Sequence, residues 1–169
     1  MSERRAAFFD RDGVLNVDFG YVSEPARLVW RATAVEAVKL LNERGILVFV
    51  VTNQSGVARG LFDEDDVRVF HAHMQAGLAR AGAHVDDFRY CPHHPEGIVA
   101  AFRRECECRK PAGGMIRDLL REYVLDPNMC HLFGDKASDL EAAASEGVAG
   151  TIVKADDRLV DLVRRTFVK

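Results

Sequence analysis

The sequence has no long hydrophobic run. Its longest uninterrupted apolar stretch, from Ile46 to Val51, has six residues, whereas a membrane-spanning helix needs about 20. The N-terminus carries charged residues from Glu3 onward, including Arg4 and Arg5, and this leaves no apolar stretch for a secretory signal. We therefore expect no membrane partner and a cytoplasmic location.

The chain also lacks an excess of basic residues. Its 23 Lys and Arg stand against 26 Asp and Glu, and the formal net charge is −3 at pH 7. Proteins that bind nucleic acids usually carry a basic surplus, so we expect no nucleic-acid partner. The 169 residues, 48% of them hydrophobic, suit one globular domain with its own core. We expect a single domain over residues 1–169, and a monomer.

Cysteine is scarce, and three of the four cysteines lie close together. They share one short segment with two histidines: Cys91, His93, His94, Cys106 and Cys108. Two disulfides are the alternative, but they would need Cys130 to join and an oxidising compartment that nothing else indicates. We therefore interpret this segment as a metal site and Cys130 as a core residue.

Strand and helix patterns alternate along the chain. Apolar β-rich runs predict strands that end at Phe9 and that span 46–52, 88–90, 130–133 and 151–153. Helical periodicity predicts helices over 33–45, 63–81, 115–123, 138–146 and 157–168, with Thr33 and Asp63 as N-caps. Residues 14–32 and 91–114 are predicted to be loops, the second with a short helical turn near 98–102. This order predicts an α/β fold, a doubly wound parallel sheet with helices on both faces.

Polar segments follow four of these strands, and ligands of open parallel sheets bind at the carboxyl ends of strands. The first is Asp10-Arg11-Asp12-Gly13. Two carboxylates this close do not both stay ionised without help, but a divalent cation can hold one as the anion while the other serves as an acid. An acidic surface turn is the alternative.

The other three segments offer complementary groups. Thr52-Asn53-Gln54-Ser55 presents hydroxyls and amides suited to an oxyanion, and Lys110, after Arg109, can neutralise charge on a phosphoryl group. Asp135, after Gly134, with Asp139 as a second acid four residues on, offers a hard oxygen ligand suited to Mg²⁺. Each alone also fits a polar loop, a basic surface patch or an acidic helix N-terminus. Their occurrence at successive strand ends predicts phosphate chemistry.

The four segments, in this order over residues 8 to 139, resemble the motifs of the haloacid dehalogenase superfamily of phosphotransferases. The resemblance implies a Rossmann-like core with Mg²⁺ held by Asp10, the backbone carbonyl of Asp12 and Asp135. It implies that Asp10 is the nucleophile that forms an aspartyl phosphate and that Asp12 is the general acid and base. Three residues would hold the phosphoryl oxygens: Thr52, Asn53 and Lys110.

Five segments narrow the resemblance to the D-glycero-D-manno-heptose-1,7-bisphosphate 7-phosphatase family: 10–16, 18–22, 52–56, 91–95 and 106–111. That family lacks a large cap domain and removes the 7-phosphate during nucleotide-heptose synthesis for lipopolysaccharide core or surface glycan. The substrate is thus expected to be a small phosphorylated sugar. The resemblance implies further substrate contacts: Asp18, Phe19, Gly20, Tyr21, Gln54, Ser55, Arg109 and Lys136. One departure is Gly113, where the family commonly has proline.

Other functions stay open. Histidinol-phosphate phosphatases share the machinery but carry a shorter cysteine loop, so the long 94–105 stretch favours the heptose family. A phosphatase for another small sugar phosphate is a further candidate. The alternative of a different class is a zinc-stabilised interaction module with a vestigial site.

The cysteine segment has the composition of a structural zinc site. Cys91-x-His93 and Cys106-x-Cys108, with twelve residues between them, offer three thiolates and one imidazole. The spacing does not exclude His94, and the resemblance places the ligand at His93. Four protein ligands leave no position for water. We therefore expect the zinc ion to hold together a loop at about 91–110 and to fix Arg109 and Lys110 beside the phosphate site.

Overall fold

The computed structural model describes residues 4–168. Strands and helices alternate from one end of this range to the other. The strands are Ala6–Phe9 (β1), Leu47–Asn53 (β2), Asp87–Cys91 (β3), Cys130–Gly134 (β4) and Ala149–Ile152 (β5). The α-helices are Ala34–Glu43 (α1), Glu64–Arg80 (α2), Gly114–Glu122 (α3), Ala137–Ser145 (α4) and Leu159–Phe167 (α5). Two short 3-10 helices span Pro25–Arg27 and Pro127–Met129.

The strands form one parallel sheet in the order β3-β2-β1-β4-β5. Residues of β1 alternate between two cores, because successive side chains of a strand point to opposite faces. Ala7 and Phe9 join the core under α1, α2 and α5, whereas Ala6 and Phe8 join the core under α3 and α4. This confirms the predicted α/β fold with helices on both faces.

The strand order reverses between β1 and β4. From β1 the chain proceeds outward through β2 and β3, then returns to pair β4 with the other edge of β1. Phe9 and Phe133 are partners in that register. Such a switch point opens a crevice at the carboxyl ends of the two strands. The segments that begin at Asp10 and at Asp135 therefore flank the same crevice.

Element ends differ from the predictions by a few residues. β5 begins at Ala149 rather than at 151, and α5 begins at Leu159 rather than at 157. Thr33 occupies the predicted N-cap position of α1, but with a φ of 64° its side chain makes no capping hydrogen bond, and its Oγ1 accepts from Val160 N instead. The cap at Asp63 is confirmed, because Asp63 and Asp66 each accept a hydrogen bond from the other's backbone N–H.

The two long connections lie at the carboxyl end of the sheet and hold little regular structure. Residues 10–33 contain isolated bridges and one 3-10 helix, and residues 92–113 contain turns. The predicted helical turn near 98–102 is one hydrogen-bonded turn, in which Phe102 N and Arg103 N both donate to Val99 O. Within residues 4–168, therefore, no large cap covers the crevice. No helix in this range has both the length and the apolar character that a membrane crossing requires.

Four helices end in the same hydrogen-bonded motif, and one of them carries an unusual residue. In this motif the residue after the helix has left-handed backbone angles, and its N–H donates to a carbonyl of the last turn. The N–H of the following residue donates to the carbonyl one residue earlier in the helix. Gly45, Gly82 and Gly147 take this position after α1, α2 and α4, with φ of 66°, 74° and 76°. After α3 the position is held by Val124, with φ of 53° and a side chain that is 71% exposed.

We predict that Val124→Gly stabilises the protein by about 1 kcal/mol, because a β-branched residue in the left-handed region is strained and its exposed side chain contributes little burial. The measurement is the free energy of unfolding in urea. Val124→Ala is the matched control, since it shortens the side chain but keeps Cβ. A glycine variant no more stable than the alanine variant would contradict the prediction.

Candidate active site

The crevice at the switch point is a cavity of about 510 Å³. It brings together twelve of the residues that the sequence predicts for the site: Asp10, Asp12, Asp18, Gly20, Tyr21, Thr52, Asn53, Gln54, Ser55, Arg109, Lys110 and Lys136. These residues come from the ends of β1, β2 and β4 and from the long connections after β1 and β3. The parallel topology is what gathers them, because all four strands end at the same edge.

Two predicted site residues lie outside this lining. The Phe19 ring is half exposed, and the Arg27 guanidinium lies 5.6 Å from its centroid. Asp135 borders a neighbouring cavity of about 550 Å³ with Gly13 and Arg31. Asp18 borders both cavities, so they adjoin. Three residues not predicted for the site also line the first cavity: Pro111, Ser138 and Asp139.

Lys110 is the centre of a buried ion cluster. Its Nζ lies 3.0 Å from Asp10 Oδ1, 2.5 Å from Asp139 Oδ1 and 2.8 Å from Val51 O. All three hydrogens of the ammonium are therefore used. Lys110 is 4% exposed, Asp10 7% and Asp139 1%. The cluster ties the residue after β1 to the cysteine-rich connection and to the first turn of α4.

Neighbouring residues hold this cluster in place. Asn53 and Lys110 form a two-way pair at 3.0 Å, in which Lys110 N donates to Asn53 Oδ1 and Asn53 Nδ2 donates to Lys110 O. The second oxygen of Asp139 accepts from Lys136 N at 3.1 Å. A Cβ at Gly134 would collide with the Asp139 side chain. The Asn53 amide thus fixes the backbone of Lys110, a role that its position in a polar loop did not predict.

The acid groups of the cluster are short of positive charge. Burial raises the pKa of Asp10 to about 7, and the nearby Asp139 and Asp135 act in the same direction while Lys110 opposes them. Burial also raises the pKa of Asp135. Burial alone would lower the pKa of Lys110, but Asp10 and Asp139 outweigh it and raise that pKa.

The three carboxylates suit a divalent cation. Oxygens of Asp10, Asp135 and Asp139 lie within 4.8 Å of one another, and Asp135 Oδ1 is buried without a hydrogen-bond partner among the described residues. A Cβ at Gly13, whose φ is 86°, would collide with Asp135 Oδ2. Because both oxygens of Asp139 are engaged, Asp10 and Asp135 are the side chains free to bind such an ion.

The Asp12 carboxylate accepts four hydrogen bonds from side chains. Its Oδ1 accepts from Arg11 Nε at 3.0 Å and from Asn16 Nδ2 at 2.9 Å. Its Oδ2 accepts from Arg11 Nη2 and from Gln54 Nε2, both at 3.0 Å. These donors hold the side chain in one orientation at the cavity wall. For metal binding this leaves Asp12 its backbone carbonyl, the atom that the superfamily resemblance implies.

Three thiols and one imidazole form a second cluster. The sulfur atoms of Cys91, Cys106 and Cys108 lie 3.0–3.5 Å apart, and His93 Nδ1 lies 3.6 Å from Cys91 Sγ and 3.4 Å from Cys108 Sγ. In a tetrahedral zinc site, zinc–sulfur bonds of about 2.3 Å place the sulfur atoms about 3.8 Å apart, so the sulfurs here lie slightly closer together than a bound zinc ion would hold them. The hydrogen bond between the Cys91 and Cys108 thiols lowers the pKa of Cys108 to about 5 and raises the pKa of Cys91, so it favours the metal-binding thiolate form of Cys108 alone.

The alternatives for this segment are not adopted in the structure. All four cysteines are free, and the Cys130 Sγ contacts Asp126 O at 3.3 Å. His94 Nδ1 accepts from Glu96 N, and its Nε2 faces Arg59 Nη2 at 3.3 Å. The structure therefore brings His93, not His94, to the thiols.

The cysteine cluster adjoins Lys110 in the chain and through hydrogen bonds. Arg109 N donates to Cys106 Sγ at 3.4 Å, and Gly114 N donates to Glu107 O at 2.9 Å. A Cβ at Gly114 would collide with Glu107 O. The segment is thus folded tightly on both sides of the lysine.

Comparisons with known proteins agree with this geometry. The HAD-hydrolase-like family model matches residues 107–165. A protein of Rhodopseudomonas palustris named D-glycero-β-D-manno-heptose-1,7-bisphosphate 7-phosphatase is 48% identical over 91% of this chain and 86% of its own length. The protein of that name in Escherichia coli K12 is 40% identical over 88% of this chain and 78% of its own length.

A solved structure shares the fold. The D,D-heptose 1,7-bisphosphate phosphatase of B. bronchiseptica, crystallised with magnesium and phosphate, is 33% identical and superposes with a TM-score of 0.81. The match covers 97% of this chain and 87% of the other.

We predict that Asp10→Asn stabilises the metal-free protein at pH 8. The pKa of Asp10 is raised from 3.8 to about 7 in the folded state, so ionisation favours the unfolded chain increasingly between these pH values and fully above 7, and the amide removes this effect. The expected gain is about 2 kcal/mol, or roughly 4–8 °C in Tm, measured in EDTA. The gain should shrink as the pH falls from 7 toward 4, where Asp10 is protonated in the folded state.

Asp118→Asn, which neutralises an exposed carboxylate on α3, is the control and should leave Tm nearly unchanged. A lower Tm for Asp10→Asn at pH 8 would show that the buried cluster is not short of positive charge.

Proposed function

We infer that the chain, which belongs to the D-glycero-β-D-manno-heptose-1,7-bisphosphate 7-phosphatase family of HAD-like hydrolases, removes the 7-phosphate of this heptose bisphosphate. The reaction is a step in nucleotide-heptose synthesis for lipopolysaccharide core or surface glycan. The observation that carries the proposal is the buried Asp10–Lys110–Asp139 cluster at the cavity of the switch point. Phosphoryl transfer through an aspartyl phosphate uses a carboxylate as nucleophile and positive charge beside the phosphoryl oxygens. This cluster offers the carboxylate together with an ammonium and a site for a divalent cation.

Asp10 is the nucleophile in this proposal. Its carboxylate oxygen bonds to phosphorus as the bond from phosphorus to the sugar oxygen breaks. Mg²⁺ bound by Asp10, the Asp12 carbonyl and Asp135 would supply the positive charge that keeps Asp10 ionised and offsets charge on the phosphoryl oxygens. Lys110 donates to Asp10 Oδ1, and in this proposal it redirects that hydrogen to a phosphoryl oxygen as Asp10 becomes phosphorylated.

Asp12 moves the protons. It gives a proton to the departing sugar oxygen, because an alkoxide is a poor leaving group. It then takes a proton from the water that attacks phosphorus, and this releases phosphate and regenerates the Asp10 carboxylate. The position of Asp12 at the cavity wall supports this role.

Substrate recognition is assigned to the other side chains of the cavity. Thr52 and Lys110 would bind the transferred phosphoryl group, and Asn53 would act by holding Lys110. Arg109 Nη1 is buried with no hydrogen-bond partner among residues 4–168, so it is available to a phosphate or hydroxyl of the sugar. The remaining proposed contacts are Asp18, Gly20, Tyr21, Gln54, Ser55 and Lys136. The contact from Phe19 stays a prediction.

We propose that Cys91, His93, Cys106 and Cys108 hold a structural Zn²⁺. Three thiols and one imidazole provide a complete tetrahedral set of ligands. Arg109 and Lys110 directly follow one of these ligands, Cys108, in the chain. The ion would stabilise a connection that has no helix or strand of its own. A single domain over residues 1–169, a monomeric state, a cytoplasmic location and the absence of nucleic-acid and membrane partners stay predictions.

We predict that phosphate release with Mg²⁺ is about a thousandfold faster in kcat/KM for heptose 1,7-bisphosphate than for histidinol phosphate, a difference of about 4 kcal/mol in transition-state binding. Asp10→Asn should abolish turnover of both. The opposite preference would keep the mechanism and replace the substrate. Hydrolysis of neither ester would favour the zinc-stabilised interaction module.

We predict about one zinc per chain in purified protein by elemental analysis. Cys106→Ser should lose the metal and lower Tm, because the closed site contributes directly to folding. Cys130→Ser, which changes the cysteine outside the cluster, is the matched control and should keep the metal. Fully active, equally stable protein without zinc would contradict this assignment.

A further inference from the structure

A fully buried arginine lies directly behind Asp12. Arg11 has 0% exposure, and all three guanidinium nitrogens have partners. Its Nε and Nη2 donate to the two oxygens of Asp12, Nη2 also donates to Val22 O at 2.6 Å, and Nη1 lies 3.3 Å from His71 Nε2. The guanidinium carbon lies 4.5 Å from the centroid of the Phe70 ring.

His71 completes the environment of this arginine from α2. It is 6% exposed, and its ring stacks on Phe88 with centroids 4.6 Å apart and meets Tyr90 at 6.1 Å. Burial and the charge of Arg11 lower the pKa of His71 to about 3. The imidazole is therefore neutral near pH 7, and its Nε2 can accept the hydrogen bond from Arg11 Nη1.

Burying a guanidinium is costly unless each donor finds an acceptor. Four of the five N–H donors of Arg11 have an acceptor here, and His71, sixty residues away in sequence, supplies the one that Nη1 faces. The fork geometry fixes the plane of the Asp12 carboxylate as a single hydrogen bond could not. Because Arg11 is inaccessible, the fork approaches Asp12 from the protein interior, whereas Gln54, which lines the cavity, donates to Asp12 Oδ2.

We propose that Arg11 and His71 are positioning residues that align the Asp12 carboxylate for proton delivery to the leaving group. This role rests on the proposed function of Asp12. His71 acts through Arg11: by accepting from Nη1 it keeps the guanidinium in the orientation in which Nε and Nη2 face Asp12. Neither residue touches the substrate.

The role predicts a dependence on the leaving group. An alkyl phosphate needs its departing oxygen protonated, whereas p-nitrophenyl phosphate releases a phenolate that departs without a proton. The parameter kcat/KM covers steps up to departure of the leaving group. Misalignment of Asp12 should therefore reduce kcat/KM for the alkyl ester selectively, whereas general damage to the site should reduce it for both esters.

The test compares Arg11→Lys and His71→Phe with the unmodified protein. The lysine keeps the charge without the fork, and the phenylalanine keeps a stacked ring without the acceptor. We expect kcat/KM for the alkyl ester to fall at least tenfold more than that for p-nitrophenyl phosphate, as for Asp12→Asn. His71→Gln, which restores an acceptor, should recover part of the loss. His73→Phe, at an exposed position of the same helix, is the control and should leave both values unchanged.

The alkyl ester is whichever of heptose 1,7-bisphosphate and histidinol phosphate the unmodified protein hydrolyses faster. The rate at which the unmodified protein hydrolyses this ester tests the proposed function. The change, in each variant, in the ratio of kcat/KM for this ester to kcat/KM for p-nitrophenyl phosphate tests the positioning role. Circular dichroism and Tm identify a variant that fails to fold. If Arg11→Lys fails to fold, the result for His71→Phe decides the outcome, because its changed atoms lie farther from Asp12. Equal losses on both esters in a folded variant would overturn the proposal.

Discussion

The contact on which the rest of the site depends is the buried ion cluster of Lys110 with Asp10 and Asp139. A lysine ammonium almost without solvent must have all its hydrogens accepted, and the acceptors here come from β1, β2 and α4. This requirement fixes the end of β1 against the start of α4 and draws the cysteine-rich connection over the crevice. Gly13 and Gly134 serve the same arrangement, because a Cβ at either would displace an acid from the site.

The cluster favours function over stability. Three carboxylates lie close together, and the buried Lys110 contacts only Asp10 and Asp139. The raised pKa of Asp10 indicates that the fold holds this group in an unfavourable state without further positive charge. A divalent cation and a phosphoryl group would each complete part of it: the cation offsets the acids, and the phosphoryl oxygens accept from the lysine. Preorganised charge of this kind avoids reorganisation during the reaction.

The sequence predicts the order of elements and the acid pair well, because both are local. Alternating β-rich and helical patterns need only nearby residues, and each polar segment follows its own strand. At Thr33 a tertiary contact overrides local preference, because its hydroxyl accepts from Val160 N rather than from the first turn of α1. The partners of Asn53, Asp139 and His71 could not be predicted, because each lies far away in sequence and a pattern along the chain does not show which distant side chains meet.

In the proposed mechanism this cluster prepares Asp10 to accept a phosphoryl group. Its most direct test is to mix Asp12→Asn protein with p-nitrophenyl phosphate and Mg²⁺, quench with borohydride, and map the peptides by mass spectrometry. The phenolate departs without a proton, so the first step proceeds in this variant while the slowed second step lets the intermediate accumulate. Borohydride reduces an aspartyl phosphate to homoserine. The account predicts homoserine at position 10, and none there when Asp10 is also changed to Asn. Phosphate release without any reduced residue at position 10, or reduction at another carboxylate, would contradict it.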